Sequence, residues 1–371
     1  MTLVLSVLEQ GMIYAIMALG IYITYTILDF PDLTVDGSFP LGAAISAVLI
    51  TKGVNPILTL LISFLAGVAA GTLTGLIHVK LKVRDLLSGI IMMTALYTVN
   101  LRIAGRANVP IYNMTTLFDN ALVKKIFTGS LAPFANTIII LVITLIMKFL
   151  LDWYMSTKSG YLLRAVGDNE TIVTSMGVDK GIIKIIGLAI ANGLVTLSGC
   201  IFAQQQRYFD ISMGTGTMVI GLASVIIGIS LLKKVSFIRV TTSVIIGSII
   251  YKACVAIAIK LGMPSSDLKM ITAVLFLVIL VLGMDRKKRK KVAANDFDRY
   301  HRQFRRDRRG QHRRTSARQV YPRALQRRNG KGRGALRALH RRGWHARGRK
   351  HARRHPFDLD RRDPRRTFTA R

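Results

Sequence analysis

Asp29, Asp32 and Asp36 recur within the segment DFPDLTVDG, directly ahead of a short apolar run. Carboxylates there allow two chemistries. On a non-helical stretch reaching into a membrane they would line a path and contact a polar substrate. In an ordinary interfacial turn they would face water and favour the N-terminus of the next helix, with Ser38 as its cap and Phe39 and Pro40 in its first turn. Asp32, Asp36 and Ser38 are the candidate path residues here. Asn100 in a later apolar run joins them, as do Gly214 and Gly216 in MGTG before a second short run. Asn100 and Thr94 equally suit structural bonds between helices. Glu9, near the start of the first apolar run, reads as interfacial. Gln204–Arg207 read as a solvated loop or as a contact for an external delivery protein.

No catalytic constellation accompanies these groups. His78 is the sole histidine before residue 285, and Cys200 and Cys254 sit singly in apolar runs, as packing residues do. No phosphate-binding GxxxxGK[ST] loop occurs. No catalytic residue, metal site or cofactor is expected, so the energy for any transport must come from elsewhere.

A polar interruption, Leu163–Asp179, carries more information. Leu162–Val166 suits a helical turn broken at Gly167. Asp168 is then placed to cap a second short helix, Asn169–Met176, with Glu170 in its first turn and Gly177 as its left-handed C-cap. Ile172, Val173 and Met176 fall on one face. That face either meets a partner surface or lies along the bilayer interface.

These residues need elements to hold them. A helix crossing the bilayer takes about 20 residues. Nine runs qualify: Leu3–Leu28, Ser38–Ile50, Pro56–Ile77, Leu86–Ala104, Leu131–Leu151, Ile182–Ala203, Thr217–Leu232, Phe237–Ile259 and Leu268–Met284. The fold class expected is all-α, a polytopic membrane protein. Two runs are short, Ser38–Ile50 and Thr217–Leu232, and each follows irregular sequence. Their matching places predict an inverted repeat of spans 1–4 and 6–9. Arg102, Lys148 and Lys252 read as lying towards span ends, with no acid to pair with them. Gly67, Gly71 and Gly75, spaced four apart, predict close helix packing. Lys and Arg cluster at 80–84, 158–184, 233–239 and 286–291. With nine spans all four clusters face the cytoplasm and the N-terminus lies outside. The basic residues of 105–130 run against that rule.

The segment LRAVGDNETIVTSMGVDKGIIK and the opening GMIYAIMALGIYITYTILDFPDLTVDGSFPLGAA resemble bacterial permeases of the branched-chain amino acid and ribose type, the transmembrane subunits of ATP-binding-cassette importers. Within that family the chain looks closest to tryptophan- or tyrosine-type permeases. The likeness covers residues 1–284. It implies a small solute of the amino-acid class crossing the bacterial cytoplasmic membrane on ATP hydrolysed by partner subunits. It implies ATPase subunits, a second permease copy, an extracytoplasmic solute-binding protein and a lipid bilayer as partners. By the same likeness 157–181 is the coupling loop, with Leu163, Arg164, Gly167, Asp168, Asn169, Ile172, Val173, Met176, Gly177 and Val178 meeting the ATPase. One departure is Thr171–Thr174, richer in hydroxyls than that family's pattern.

Residues 285–371 are a different object, with 33 basic against 7 acidic residues where 1–284 hold 20 against 12. They read as an Arg-rich disordered tail. Residues 292–371 lack Ile, Met, Cys and Glu altogether, which suggests out-of-frame translation, and no nucleic-acid partner is expected. The rival classes are an ion-gradient transporter, or a membrane-anchored protein whose tail binds nucleic acid.

Overall fold

The computed structural model describes residues 2–120, 123, 133–232, 239–262, 270, 272–274 and 276–278. The ninth predicted span falls largely outside these residues, and the basic tail wholly so.

The described chain is a multi-pass helical membrane protein. Its helices are α1 (Thr2–Ile21), α2 (Val35–Thr51), α3 (Pro56–Lys80), α4 (Asp85–Ala104), α5 (Ala135–Met155), α6 (Lys158–Asp168), α7 (Glu170–Ser175), α8 (Lys180–Gln206), α9 (Thr217–Leu232) and α10 (Val240–Lys260). Among the described residues seven stretches are long and apolar enough to cross a bilayer. They include α1 with its π-helical extension Tyr22–Ile27, and α9 with the 3-10 turn Ile211–Gly214 ahead of it. A further helix, α2, is apolar but shorter. Two short strands, β1 (Asn108–Pro110) and β2 (Tyr208–Asp210), pair antiparallel with Val109 opposite Phe209.

The sorting of side chains follows from the solvent. In lipid an outward apolar face costs nothing, so helices associate through small residues and hydrogen bonds. α8 is the hub, packed by α1, α2 and α3, and its middle is buried almost throughout. α3 and α5 turn Leu58, Leu61, Leu65, Leu141, Leu145 and Phe149 outward. The Gly67–Gly71–Gly75 stripe faces α8, in keeping with its spacing. A Cβ on Gly75 would meet the Ile185 Cα at 2.9 Å, and one on Gly71 would meet the Leu188 backbone.

The elements depart from the sequence expectations in three places. α2 begins at Val35, ahead of the predicted cap, and Ser38 donates its backbone N–H to the Thr34 carbonyl at 2.8 Å. Ser38 is therefore no N-cap; it is a buried residue of the first turns. α5 runs past its predicted end to Met155 and takes in Asp152, which lies 3.4 Å from Lys148. So Lys148 has an acid after all. Lys252 stands near the middle of α10, not at its end.

Candidate translocation junction and coupling loop

Between Ile27 and Val35 the chain leaves the helix. The π-helical turn widens the end of α1, with the Leu28 N–H reaching the Ile23 carbonyl at 3.0 Å, and Asp29 then adopts a left-handed φ of 52°. The excursion carries Asp32 and Ser38 to the level of Asn192, near the middle of α8. There a buried polar chain forms. The Asn192 amide nitrogen donates to Asp32 Oδ2 at 2.8 Å, and the Ser38 hydroxyl donates to Asn192 Oδ1 at 2.7 Å. The second Asp32 oxygen accepts the Thr34 N–H at 2.9 Å. Asp32, Ser38 and Asn192 are fully buried. A carboxylate is tolerated at that depth because donors engage both of its oxygens. The water-facing turn is thus overturned for Asp32 and holds only for exposed Asp29.

Asp36 makes a longer connection. One of its oxygens accepts the Met218 N–H at 2.8 Å and the Thr217 hydroxyl at 2.9 Å; the other accepts the Gly216 N–H at 3.1 Å. These donors stand at the start of α9, where helix geometry leaves backbone N–H groups without partners. A side chain of α2 therefore caps α9, with its negative charge at the positive end of that helix. Gly214 lies against the same turn: a Cβ there would meet the Pro40 ring at 2.6 Å. The N-termini of the two short helices meet. Asn100 approaches from α4 and donates to the Gly37 carbonyl at 2.9 Å. Its bond does cross between helices. That of Thr94 does not, because its hydroxyl returns to Ile90 in its own helix.

At the β1–β2 end the polar residues are less solvated than expected. Gln204 is buried; it donates to the Thr59 hydroxyl and accepts the Leu117 N–H. Glu9 is buried too, accepting from Thr137 at 2.9 Å and Gln205 at 3.2 Å. Arg207 ties its loop to Asp119 at 3.1 Å.

At the opposite end α6 and α7 form a small platform. α6 is capped by the Thr157 hydroxyl and continues through Gly167 to Asp168. The helix does not break at this glycine, which serves a close contact instead. A Cβ on Gly167 would collide with the Ile27 carbonyl oxygen and come within 2.7 Å of its carbon. The break falls at Asn169, whose side chain accepts the Thr171 N–H at 3.0 Å. Asn169 is thus the cap of α7, and Asp168 is the exposed end of α6. Gly177 takes a left-handed φ of 75°, as its C-cap position requires.

The predicted apolar face divides. Val173 is buried with Leu163 and Val166, whereas Met176 is 67% exposed. Ile172 belongs to α7. Tyr161, Arg164, Asp168 and Asn169 are exposed and Val178 is half-buried. The platform is therefore anchored from beneath and open above. Glu170 fastens it sideways, 2.7 Å from Lys180 and 2.6 Å from Lys184. Hydrogen bonds from Lys180 and Lys184 pull its carboxyl from the ordinary 4.5 down to about 2. A depressed carboxylate contributes stability above its unfolded value and loses it as pH falls through the folded one. Hydrogen exchange at the α7 amides is expected to stay slow from about pH 7 to about pH 5, above that window, and Glu170→Gln to speed it at both.

The sequence model for the branched-chain amino acid transport system permease component matches residues 3–282. The chain belongs to that family. This permease is 45% identical over 280 residues to the tyrosine transport system permease protein of Clostridioides difficile strain R20291, covering 76% of this chain and 91% of that one. It is 28% identical over 226 residues to the ribose import permease protein of Escherichia coli K12, covering 60% and 68%. To a probable branched-chain amino acid transport permease protein of Methanocaldococcus jannaschii it is 25% identical, covering 58% and 70%. No solved structure matches the permease. It is the permease component of an ABC-type transport system, a transport subunit, and that membership implies ATPase and substrate-binding partners. Among the described residues no group of three His, Cys, Asp or Glu stands where a metal ion could be held.

Asn192 is the junction residue that sequence reasoning missed. Its signal is an amide in the middle of an otherwise apolar, glycine-rich span, IANGLVTLSG.

Proposed function

We propose that this permease imports an amino acid, tyrosine foremost, on ATP hydrolysed by separate subunits that dock on α6 and α7. The tyrosine assignment comes from the name of the 45% identical relative. The observation that carries the docking is the platform itself. Leu163, Val166 and Val173 hold it down, while Tyr161, Arg164, Asp168 and Met176 face outward, away from the rest of the described chain.

Coupling runs along packed backbone. Motion of α6 at Gly167 pushes directly on the Ile27 carbonyl, where the π-helical end of α1 stops. Residues 28–34, an irregular segment, join that point to α2, and Asp36 joins α2 to the start of α9. The junction of Asp32, Asp36, Ser38, Asn100, Gly214 and Gly216 lines or gates the path, and broken helices near a bilayer's middle suit that task. α2 and α9 are corresponding members of an inverted repeat. The α6–α7 end faces the cytoplasm, with the C-terminus on that side and the N-terminus outside. The β1–β2 end receives the solute-binding protein, and a second permease copy completes the assembly.

Asp32 is an intramembrane acid of the kind ion-coupled transporters use. Here Asn192 and Thr34 occupy its oxygens, which favours a structural tie. The test is uptake into proteoliposomes holding permease, ATPase and binding protein. Labelled tyrosine is expected to accumulate only with hydrolysable ATP at the ATPase face, and to do so after ion gradients are collapsed. Accumulation driven by a proton or sodium gradient without nucleotide would sink the reading.

A further inference from the structure

Lys252 lies eight residues, about 12 Å, from the C-terminal end of α10. A cation at that depth is costly unless it faces a cavity or a counter-charge. No carboxylate among the described residues pairs with it. Glu9, on the facing helix α1, is already engaged by Thr137 and Gln205. What Lys252 does meet is the face of Tyr14, with its ammonium nitrogen 3.6 Å from the ring centroid. Tyr14 cannot yield, because it is buried and packed against Phe39 and Phe202 at 5.7 and 5.5 Å. The ammonium is therefore held in position, yet a ring face occupies only one side of it.

The same lysine lines a cavity of about 160 Å³ between the first half of α1 and the last half of α10. Ser6 and Gln10 supply its other polar groups, and Val7, Val255 and Ile259 supply apolar wall. A lysine, an amide and a hydroxyl among the residues lining one cavity, with hydrocarbon around them, are the donor types that suit an anionic group bearing two oxygens. Ligand pockets for whole small molecules run from roughly 300 Å³ upward. This one suits the charged end of a solute and not all of it.

We propose that Lys252, with Gln10 and Ser6, forms a subsite between α1 and α10 that takes the carboxylate of the transported amino acid. The proposal rests on the reading that the solute is an amino acid, and it adds where that solute is recognised within the permease. A lipid phosphate offers similar anionic oxygens, so the test must separate the two sources.

The experiment is equilibrium binding of labelled tyrosine, tryptophan and leucine, and of their carboxamides, to the permease–ATPase complex without binding protein. The complex is held in nanodiscs of purely zwitterionic lipid. Wild type is expected to bind tyrosine and to reject tyrosinamide. Lys252→Met is expected to lose at least about tenfold in affinity and Gln10→Leu a smaller factor, while Lys252→Arg retains most of it. Each variant is taken forward only as a monodisperse complex, so misfolding does not enter. Loss in Lys252→Met of binding to leucine, where wild type never bound tyrosine, would keep the subsite and overturn the tyrosine assignment. Equal binding of tyrosine by wild type and Lys252→Met would overturn the subsite and leave that assignment standing, as would a wild type that holds tyrosinamide as tightly as tyrosine. A wild type that binds none of the three overturns both. An anionic lipid retained by wild type from its native membrane and absent from Lys252→Met, with tyrosine binding unaltered, assigns the cavity to lipid and also overturns the proposal.

Discussion

Gly167→Ala is expected to lower ATP-driven uptake by roughly tenfold or more, while Gly177→Ala, in the same loop, lowers it by less than about threefold. Both substitutions add one methyl group to a glycine of the platform, but they act on different physics. At Gly177 there is nothing within 4 Å of the added carbon. The cost there is that of holding an L-residue at a φ of 75°, about 1–2 kcal/mol. At Gly167 the added carbon strikes the Ile27 carbonyl and approaches the Leu28 Cα at 3.3 Å. Those are backbone atoms and cannot rotate aside, so α6 must lift from the end of α1. The ATPase can still dock on the exposed surface and turn over, but its motion no longer reaches the irregular segment. Parallel assays of ATP hydrolysis and tyrosine uptake check this: Gly167→Ala should keep the first and lose the second. Uptake at wild-type level in that variant would remove the Gly167–Ile27 contact from the coupling route.

The same glycine marks the boundary between what was legible in the sequence and what was not. Local rules handled much of the chain. Length and hydropathy located the seven long apolar stretches among the described residues, four-residue spacing identified the α3 glycines that meet α8, and Gly177 ended α7 as a left-handed cap. Local rules also ended α6 at Gly167, because a mid-helix glycine costs about 1 kcal/mol. Its reason for being there is Ile27, a residue 140 positions earlier. Ser38 failed as a cap for a similar reason, since its hydroxyl goes to Asn192, 154 residues away. The carboxylates at Asp32 and Asp36 were visible as unusual groups, but charge alone does not reveal whether donors on another helix await them. Asn192 and the start of α9 are those donors, and only the packing of α2 against α8 and α9 brings them in. The irregular lead-ins of α2 and α9 nonetheless mark both sides of that meeting point in the sequence itself.

Asp36→Ala is the second large effect expected. It removes the carboxylate that accepts from Gly216, Thr217 and Met218, and Thr217 alone retains a further acceptor, the Gly214 carbonyl at 3.0 Å. The two backbone N–H groups are left at a helix end inside the protein, at about 1–3 kcal/mol each where water cannot reach them. Thermal unfolding of the detergent-solubilised permease should shift down by several degrees. Uptake should fall further than stability does, by about tenfold or more in protein that is still folded, because the lost bonds are those joining α2 to α9. Asp36→Asn separates the two contributions. The amide keeps one acceptor oxygen for the helix end but gives up the charge that favours the helix dipole, so it should recover most of the stability and part of the transport. If Asp36→Ala transported normally in folded protein, the junction would be a structural fastening and the path would bypass it.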